Sequence, residues 1–588
     1  MPLPSLQRRQ LLALGAASAA ATLASPAAQA QQPHKTQARI VIAGAGAAGL
    51  AAASRLAALL QGAPITLIDA RREHFYQPGF TLVGGGIKPA TYVTSSTADY
   101  LPPGVELLTE RVAEFDPDGN RVVTESGQAI AYDFLIVAVG LTLEYGLIEG
   151  MSPALIGKHG IGSIYHSPAA AEATWQAMSA FADQGGRGVF LRPATEMKCA
   201  GAPLKYTFIT EDHLTRRGNR GKAELVYNSN NNALFSVPIV SEKVRMLYQE
   251  RGIQVNYGRV LQSIDPGRRL ATFKTAEGSE EQPYDFIHVI PPMRAPEAVR
   301  SSPLPWTADK NKAWAAEGWL EVDKGTLRHL RYANVFGVGD IAGVPKGKTA
   351  ASVKWQVPVA LDHLVAEIAG KTSNALYTGY TSCPLITRLG RAMLVEFDYQ
   401  NNLVPSFPGA IAPLEELWVS WVMKTMALKP TYISMLRGRA CKERHHERTR
   451  SPGVPGRVPG DARPLAVGAA GPGRVDHGGL HLAAAAPARH CAAAAGVRAA
   501  AGPGRRRPGP GADGQGVVLG LYRRRRAGRL DTDHPGVCAG RHWCDHRHLH
   551  HPRLVQAQPQ ASGLKYPHFP PHQGTTHGAD NRLRGHRF

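Results

Sequence analysis

Two residue types carry the chemistry legible in this sequence, glycine in a phosphate-binding pattern and cysteine in a basic setting. Gly44, Gly46 and Gly49 form G-x-G-x-x-G in ARIVIAGAGAAGL, and Asp69 follows Gly49 by twenty residues. The first glycine of such a pattern permits a tight turn, the second lets backbone approach a pyrophosphate, and the third lets helix and strand pack closely. The helix N-terminus attracts the phosphate charge, and Asp69 is expected to accept hydrogen bonds from the ribose. Only two of the six cysteines, Cys199 and Cys383, fall in the part that reads as folded. Cys199, in MKCAGAPLK, precedes Pro203, which suits the first turn of a helix. A helix N-terminus and the flanking Lys198 and Lys205 both favour thiolate over thiol. Cys383, in TSCPLITRLGRAMLVEFDY, is followed by proline and a strand-like run. Spacing alone leaves two readings of this pair open: a structural disulfide or a redox couple.

The elements around these residues read as alternating strands and helices. ARIVIAGAGAAGLAAASRLAALL is strand, glycine turn and helix, PITLIDA is the next strand, and 115–140 makes an antiparallel excursion that returns to a buried strand. RGVFL and GKAELVYN open a second α/β region that YDFIHVIPP closes, and NVFGVGDIAG supplies a further strand and turn. After Gly188–Leu191 the second region has Arg192-Pro193-Ala194-Thr195 and no glycine triplet, so its backbone cannot approach a pyrophosphate in the same way. An electron donor other than NAD(P)H is expected.

AYDFLIVAVG, ending on Gly140, and NVFGVGDIAG, holding Asp340, resemble motifs of the two-dinucleotide-binding-domain flavoproteins. That resemblance implies FAD, with Asp340 at its ribityl or pyrophosphate region; a helix N-cap is the plainer reading of Asp340. HFYQPGFTLVGGG, MKCAGAP, VIPPMRAPE and CPLITRLGRAMLVEFDY together resemble sulfide:quinone oxidoreductases, in the branch that includes the mitochondrial enzyme, over about 39–438. The resemblance implies non-covalent FAD and a Cys199–Cys383 disulfide opened by hydrogen sulfide. It implies a persulfide on Cys383, a Cys199 thiolate facing the flavin, electrons passed to membrane quinone, and a separate sulfur acceptor. Phe397, Tyr399 and Trp421 are the expected quinone contacts. RPATEM before Lys198 departs from the family pattern and puts the local sulfide entry in question. Two rival readings share these motifs, the flavoprotein subunit of a flavocytochrome c sulfide dehydrogenase and a catalytically dead flavin-binding partner protein.

The fold class expected is α/β: two Rossmann-like dinucleotide-binding domains, the FAD domain split in sequence, plus a C-terminal membrane-interface helical segment. The divisions are 37–150 and 301–385 for FAD, 151–300 for the second Rossmann-like domain, and 386–438 for quinone and membrane docking. Leu414, Leu417, Trp418, Trp421 and Val422 share one face of a helix over 414–428, with Glu415, Glu416, Ser420 and Lys424 opposite. Those fifteen residues are too few to span a bilayer, and a tryptophan-rich face suits peripheral docking. Residues 1–30 read as a twin-arginine-type signal: Arg8-Arg9, an apolar run, and Ala28-Gln29-Ala30. Periplasmic placement on the inner membrane follows.

The net charge of +21 is local, since residues from 441 onward hold 24 Lys and Arg against 9 Asp and Glu. A nucleic-acid partner is therefore not expected. The tail 439–588, with its RRRR and AAAA runs and no hydrophobic period, reads as disordered or frame-shifted text. Its Cys544, His546, His548 and His550 look metal-like but lack a second ligand pair at the usual spacing, and no metal site is expected.

Overall fold

The computed structural model describes residues 33–439. Residues 1–30, read as a signal, and the tail from 440 onward, with its His-rich tract, lie outside the described residues. Along the chain come β1 (Ile40–Ala43), α1 (Ala47–Leu59), β2 (Ile65–Ile68), β3 (Val105–Leu108) and β4 (Phe134–Val137). The second unit holds β5 (Ile161–Gly162), α2 (Pro168–Gln184), β6 (Gly186–Leu191), α3 (Ala202–Arg216), β7 (Ala223–Asn228), α4 (Pro238–Glu250), β8 (Ile253–Asn256) and β9 (Phe286–His288). The chain then returns with β10 (Val335–Gly337) and α5 (Ala350–Ile368). It ends in a hairpin, β11 (Thr381–Arg388) and β12 (Arg391–Phe397), and in helices α6 (Trp418–Val422) and α7 (Leu428–Leu436).

Each unit is built on a five-stranded parallel sheet, β10-β4-β1-β2-β3 in the first and β5-β9-β6-β7-β8 in the second. Strands such as IVIA and FLIV are unbroken apolar runs because helices cover both faces of a parallel sheet. Each unit also carries a three-stranded antiparallel excursion, over 112–131 and 260–283. The FAD domain split in sequence is thus a physical fact of the topology: β10, some two hundred residues after β4, pairs beside it.

Two buried clusters correspond to the two sheets. The hairpin belongs to the second: Cys383, Leu385, Val395 and Phe397 pack with α3 and its neighbours. The boundary expected at 385 therefore falls inside β11. The terminal helix α7 belongs to the first cluster, where Tyr432, Met435 and Leu436 pack against α1 and the Ser54 hydroxyl donates to the Leu436 carbonyl at 2.6 Å.

The segment 414–428 differs from its expected form. Residues 414–417 are not helical; Leu417 instead exchanges backbone hydrogen bonds with Ala392 at 3.0 and 3.2 Å. The helix starts at Trp418 and passes through a π-helical turn, Met423–Ala427, before α7. The polar residues of the segment turn inward. Ser420 and Lys424 are buried, and Glu416 pairs with Arg251 and Arg388. Trp418 and Met426 stand 62% and 66% exposed. Lys424 turns toward the cysteine pair, and its Nζ donates to the Pro78 carbonyl at 2.7 Å. Among the described residues no helix is long and apolar enough to cross a membrane.

Candidate functional site

The glycine turn behaves as its spacing requires. Gly44 has φ +102°, and a Cβ there would sit 2.5 Å from the Ala138 carbonyl oxygen. A Cβ on Gly49 would sit 1.7 Å from the Gly44 carbonyl, so the third glycine is what lets α1 press against β1. Gly46 faces open space as N-cap of α1, and no side chain caps that helix. Gly49→Val is expected to release most bound FAD, since the clash is with rigid backbone; overpacking of this kind costs about 1–3 kcal/mol. Flavin absorbance per protein after gel filtration checks it.

Asp69 closes the turn. One carboxylate oxygen accepts from the Ala45 amide at 2.8 Å and the other from the Arg71 amide at 2.9 Å. Gly140, φ +71°, ends the approach from β4 in open space. Asp340 lies in a short turn after β10 and caps no helix; Thr349 caps α5, its hydroxyl accepting from the Ser352 amide at 3.1 Å. The plainer reading of Asp340 is thereby corrected. Burial raises the Asp340 carboxyl, opposed by the charges of Lys198 and Lys348.

Gly44, Gly46, Asp69, Gly140, Asp340 and both cysteines line one cavity of about 1490 Å³. That exceeds the roughly 300–1,000 Å³ of an ordinary small-molecule pocket. An elongated dinucleotide fits this wall: an uncapped helix N-terminus, a glycine approach without side chains, and an acid at each end. Gln77, Lys198, Lys348 and Thr349 line it too. Lys198 donates to the Gln77 amide oxygen at 2.7 Å, and Lys348 donates to the Asp340 carbonyl at 2.7 Å while lying 3.5 Å over the Trp319 ring. Sequence reasoning did not single out these contributors, apart from placing Lys198 beside Cys199, because none sits in a spaced motif.

The cysteines, 184 positions apart, meet at this cavity as free thiols in hydrogen-bonding contact. Cys199 sits in the loop after β6 with φ +50°, its amide donating to the Lys348 carbonyl at 2.9 Å. Its own carbonyl accepts from the Tyr165 hydroxyl at 3.3 Å. Cys383 comes from the buried hairpin, and a Cβ on Gly201 would lie 2.2 Å from its sulfur. The glycine of CAGAP is thus the space the second sulfur occupies.

The two sulfurs are electrostatically unequal. The hydrogen bond from Cys383 lowers Cys199 well below the ordinary thiol range against burial, aided by the charges of Lys205 and Lys424. Lys205 Nζ is 3.4 Å from the Cys199 sulfur. Cys383 is raised by the same hydrogen bond and by burial. Burial and the neighbouring Lys205 push Lys424 down to about 7, while the cysteines pull the other way; its Nζ donates to the Pro78 carbonyl at 2.7 Å. This arrangement sets a sulfur of lowered proton affinity against one of raised proton affinity beside two buried lysines, a setting suited to thiol–disulfide exchange.

The expected quinone contacts are placed otherwise. Phe397 is buried against Phe235 with ring centroids 5.5 Å apart, and Tyr399 packs on Tyr377 and donates to the Lys324 carbonyl at 3.0 Å. Neither these two nor Trp421 lines the cavity; their neighbours Glu396, Leu394 and Met423 do. Alternation along β12 explains Phe397, since adjacent strand residues point to opposite faces, while Tyr399 lies past the end of the strand.

The family model described as pyridine nucleotide-disulphide oxidoreductase matches residues 38–177. The chain is 36% identical over 377 residues to the mitochondrial sulfide:quinone oxidoreductase of Mus musculus, covering 64% of this chain and 81% of that relative. It is also 36% identical over 375 residues to the mitochondrial sulfide:quinone oxidoreductase of Dictyostelium discoideum, covering 64% and 80%. Among solved structures, the sulfide:quinone oxidoreductase of Aquifex aeolicus superposes with a TM-score of 0.56 at 23% identity, over 69% of this chain and 92% of that one.

Proposed function

Because the chain belongs to the sulfide:quinone oxidoreductase family, and so is an oxidoreductase enzyme, we propose that it oxidises hydrogen sulfide through a Cys199–Cys383 disulfide and delivers the electrons to membrane quinone. The observation that carries this reading is the meeting of the two cysteines, one low and one high in proton affinity, on the wall of the dinucleotide cavity. FAD, held without a covalent bond, supplies two-electron transfer between the sulfur site and quinone.

In this reading hydrosulfide attacks the Cys383 sulfur. The S–S bond breaks, the new S–S bond forms a persulfide on Cys383, and the electron pair of the broken bond leaves on Cys199 as thiolate. A good leaving thiolate speeds such exchange, and Lys205 at 3.4 Å supplies the stabilising charge. Lys424 adds a second cation that draws an anionic substrate inward. The sulfur then passes to a separate acceptor. Gly44 and Gly46 would hold the pyrophosphate while Gly49 lets α1 pack close, Asp69 braces the turn and would meet the adenosine ribose, and Gly140 and Asp340 would bound the flavin end. The exposed Trp418, Val419 and Met426 dock the protein peripherally on the membrane. The signal read in residues 1–30 puts that docking on the periplasmic face.

Anaerobic addition of sulfide to the FAD-loaded protein is expected to bleach the flavin, and a quinone analogue to restore it. NADH and NADPH are expected to leave it unbleached, because Arg192-Pro193-Ala194-Thr195 replaces a glycine turn at the second sheet. Bleaching by a pyridine nucleotide but not by sulfide would overturn the reading. Bleaching by sulfide with recovery only on adding a cytochrome c would favour the flavocytochrome alternative.

A further inference from the structure

On the wall that the hairpin contributes to the cavity, a carboxylate is buried among hydroxyls. Glu396 of β12 is 4% exposed and sits opposite Ser382, the neighbour of Cys383. One of its oxygens accepts from the Tyr380 hydroxyl and from the Ser406 hydroxyl at 2.6 Å; the other accepts from the Ser406 amide at 2.7 Å. The Tyr380 and Ser406 oxygens lie 3.3 Å apart. Among the described residues no Lys or Arg forms an ion pair with this carboxylate, although nearly every other buried acid here has one.

The surroundings are apolar. The Trp355 ring stands edge-on to Tyr380 at 5.4 Å, Leu394 lies in the same wall, and Phe407, 46% exposed, stands at the outer end beside the exposed Ser406. Two hydroxyls 3.3 Å apart thus link the surface at Ser406 to a phenol on an apolar part of the cavity, and both donate to one buried carboxylate. A hydrophobic acceptor that takes up protons as it is reduced suits such a site; an anionic sulfur species does not, because it would face an uncompensated carboxylate.

We propose that Tyr380, Glu396 and Ser406 form a proton-delivery site for the quinone ring, with Tyr380 as the catalytic acid and Glu396 and Ser406 as positioning residues. The proposal rests on the reading above that quinone is the acceptor. Reducing quinone to quinol requires two electrons, which reduced FAD supplies, and two protons. The Tyr380 O–H bond breaks as its proton joins the near quinone oxygen. The Tyr380 oxygen takes its proton back from the Ser406 hydroxyl 3.3 Å away, and water at the exposed Ser406 restores that hydroxyl, while the Glu396 carboxylate accepts from both hydroxyls and holds them in place. The far oxygen takes its proton from water at the mouth.

The test uses FAD-loaded full-length protein with Tyr380→Phe and Glu396→Gln, each nearly isosteric. A short-chain ubiquinone analogue is titrated into the oxidised protein while tryptophan fluorescence is followed, and stopped-flow then separates bleaching by sulfide from recovery with the analogue. The expected result is analogue affinity within about threefold of wild type, with recovery slowed roughly 10²-fold in Tyr380→Phe, the scale of a lost general acid. Glu396→Gln is expected to lie between, and the solvent deuterium effect on recovery to change in both. Recovery within threefold of wild type in Tyr380→Phe, at normal flavin content, overturns the relay and leaves the quinone reading standing. A wild-type protein that sulfide bleaches but the analogue neither quenches nor reoxidises overturns both. Weakened analogue binding with unchanged recovery at saturation assigns these residues to binding alone and also overturns the relay.

Discussion

Cys383→Ala is expected to bind FAD normally and to lose sulfide-driven flavin bleaching by at least the order of 10³-fold, the scale seen when one member of a nucleophilic unit is removed. The alanine leaves no sulfur to be attacked and nothing for Cys199 to leave from. Cys199→Ala is expected to fail equally, although its sulfur plays the other part, because each half of a disulfide is useless without its partner. FAD retention follows from position: both cysteines stand on the cavity wall away from the glycine turn, Gly44 to Ala48, proposed to meet the phosphates. Anaerobic stopped-flow at the flavin band is the measurement. A structural disulfide would behave differently, costing about 2–5 kcal/mol of stability while the protein that stays folded continues to bleach. That outcome would remove the cysteines from the mechanism.

Lys205→Met has the second largest expected effect. The Lys205 ammonium lies 3.4 Å from the half-buried Cys199 sulfur and is itself buried, so its charge acts with reduced screening. Cys199 lies well below the ordinary thiol range, partly through this lysine. Removing the lysine raises it, by about 1–3 pH units on the usual scale of an opposite charge at close range. A group whose native pKa is depressed is ionised above that pKa, so raising it moves the acid limb of sulfide oxidation to higher pH. Bleaching at pH 7 is expected to fall about 10–100-fold and to recover as the pH rises. Lys424→Met should shift the limb in the same direction by less, because its amine bonds to the Pro78 carbonyl and acts on the sulfur only through space. A pH profile unmoved in Lys205→Met would mean that the Cys383 hydrogen bond alone sets the thiolate.

Much of this site was legible before any coordinates. The glycine spacing and Asp69 report local backbone geometry, which a short stretch of chain encodes by itself. The basic, proline-flanked setting of Cys199 likewise identified a helix entrance, and α3 starts at Ala202 with Pro203 in its first turn. The helix expected over 414–428 begins only at Trp418, and the aromatic residues expected to contact quinone lie off the cavity wall. A period of apolar residues states that a helix has two faces, but not which face meets the interior. Over 414–428 Lys424 turns in toward the cysteine pair and Trp418 stands exposed, as a docking face requires. A π-turn, which no propensity pattern announces, sets that rotation. Phe397 and Tyr399 were chosen as aromatic, whereas strand alternation gives the cavity Leu394 and Glu396, and Tyr399 lies past the end of the strand.

What this sequence determined by itself is every feature whose cause lies within about thirty residues. These are the parallel-sheet strands, the phosphate turn with its acid, the absence of a glycine turn in the second unit, and the two candidate cysteines. The tertiary structure alone decided which distant groups share a space. It brought β10 beside β4, Cys383 beside Cys199 in the gap that Gly201 leaves open, Lys424 beneath the sulfurs, and Glu396 among hydroxyls on the same wall. The physical reason is range. Backbone conformation is set by neighbours in the chain, while a sulfur's proton affinity is set by charges a few ångströms away that the fold alone assembles.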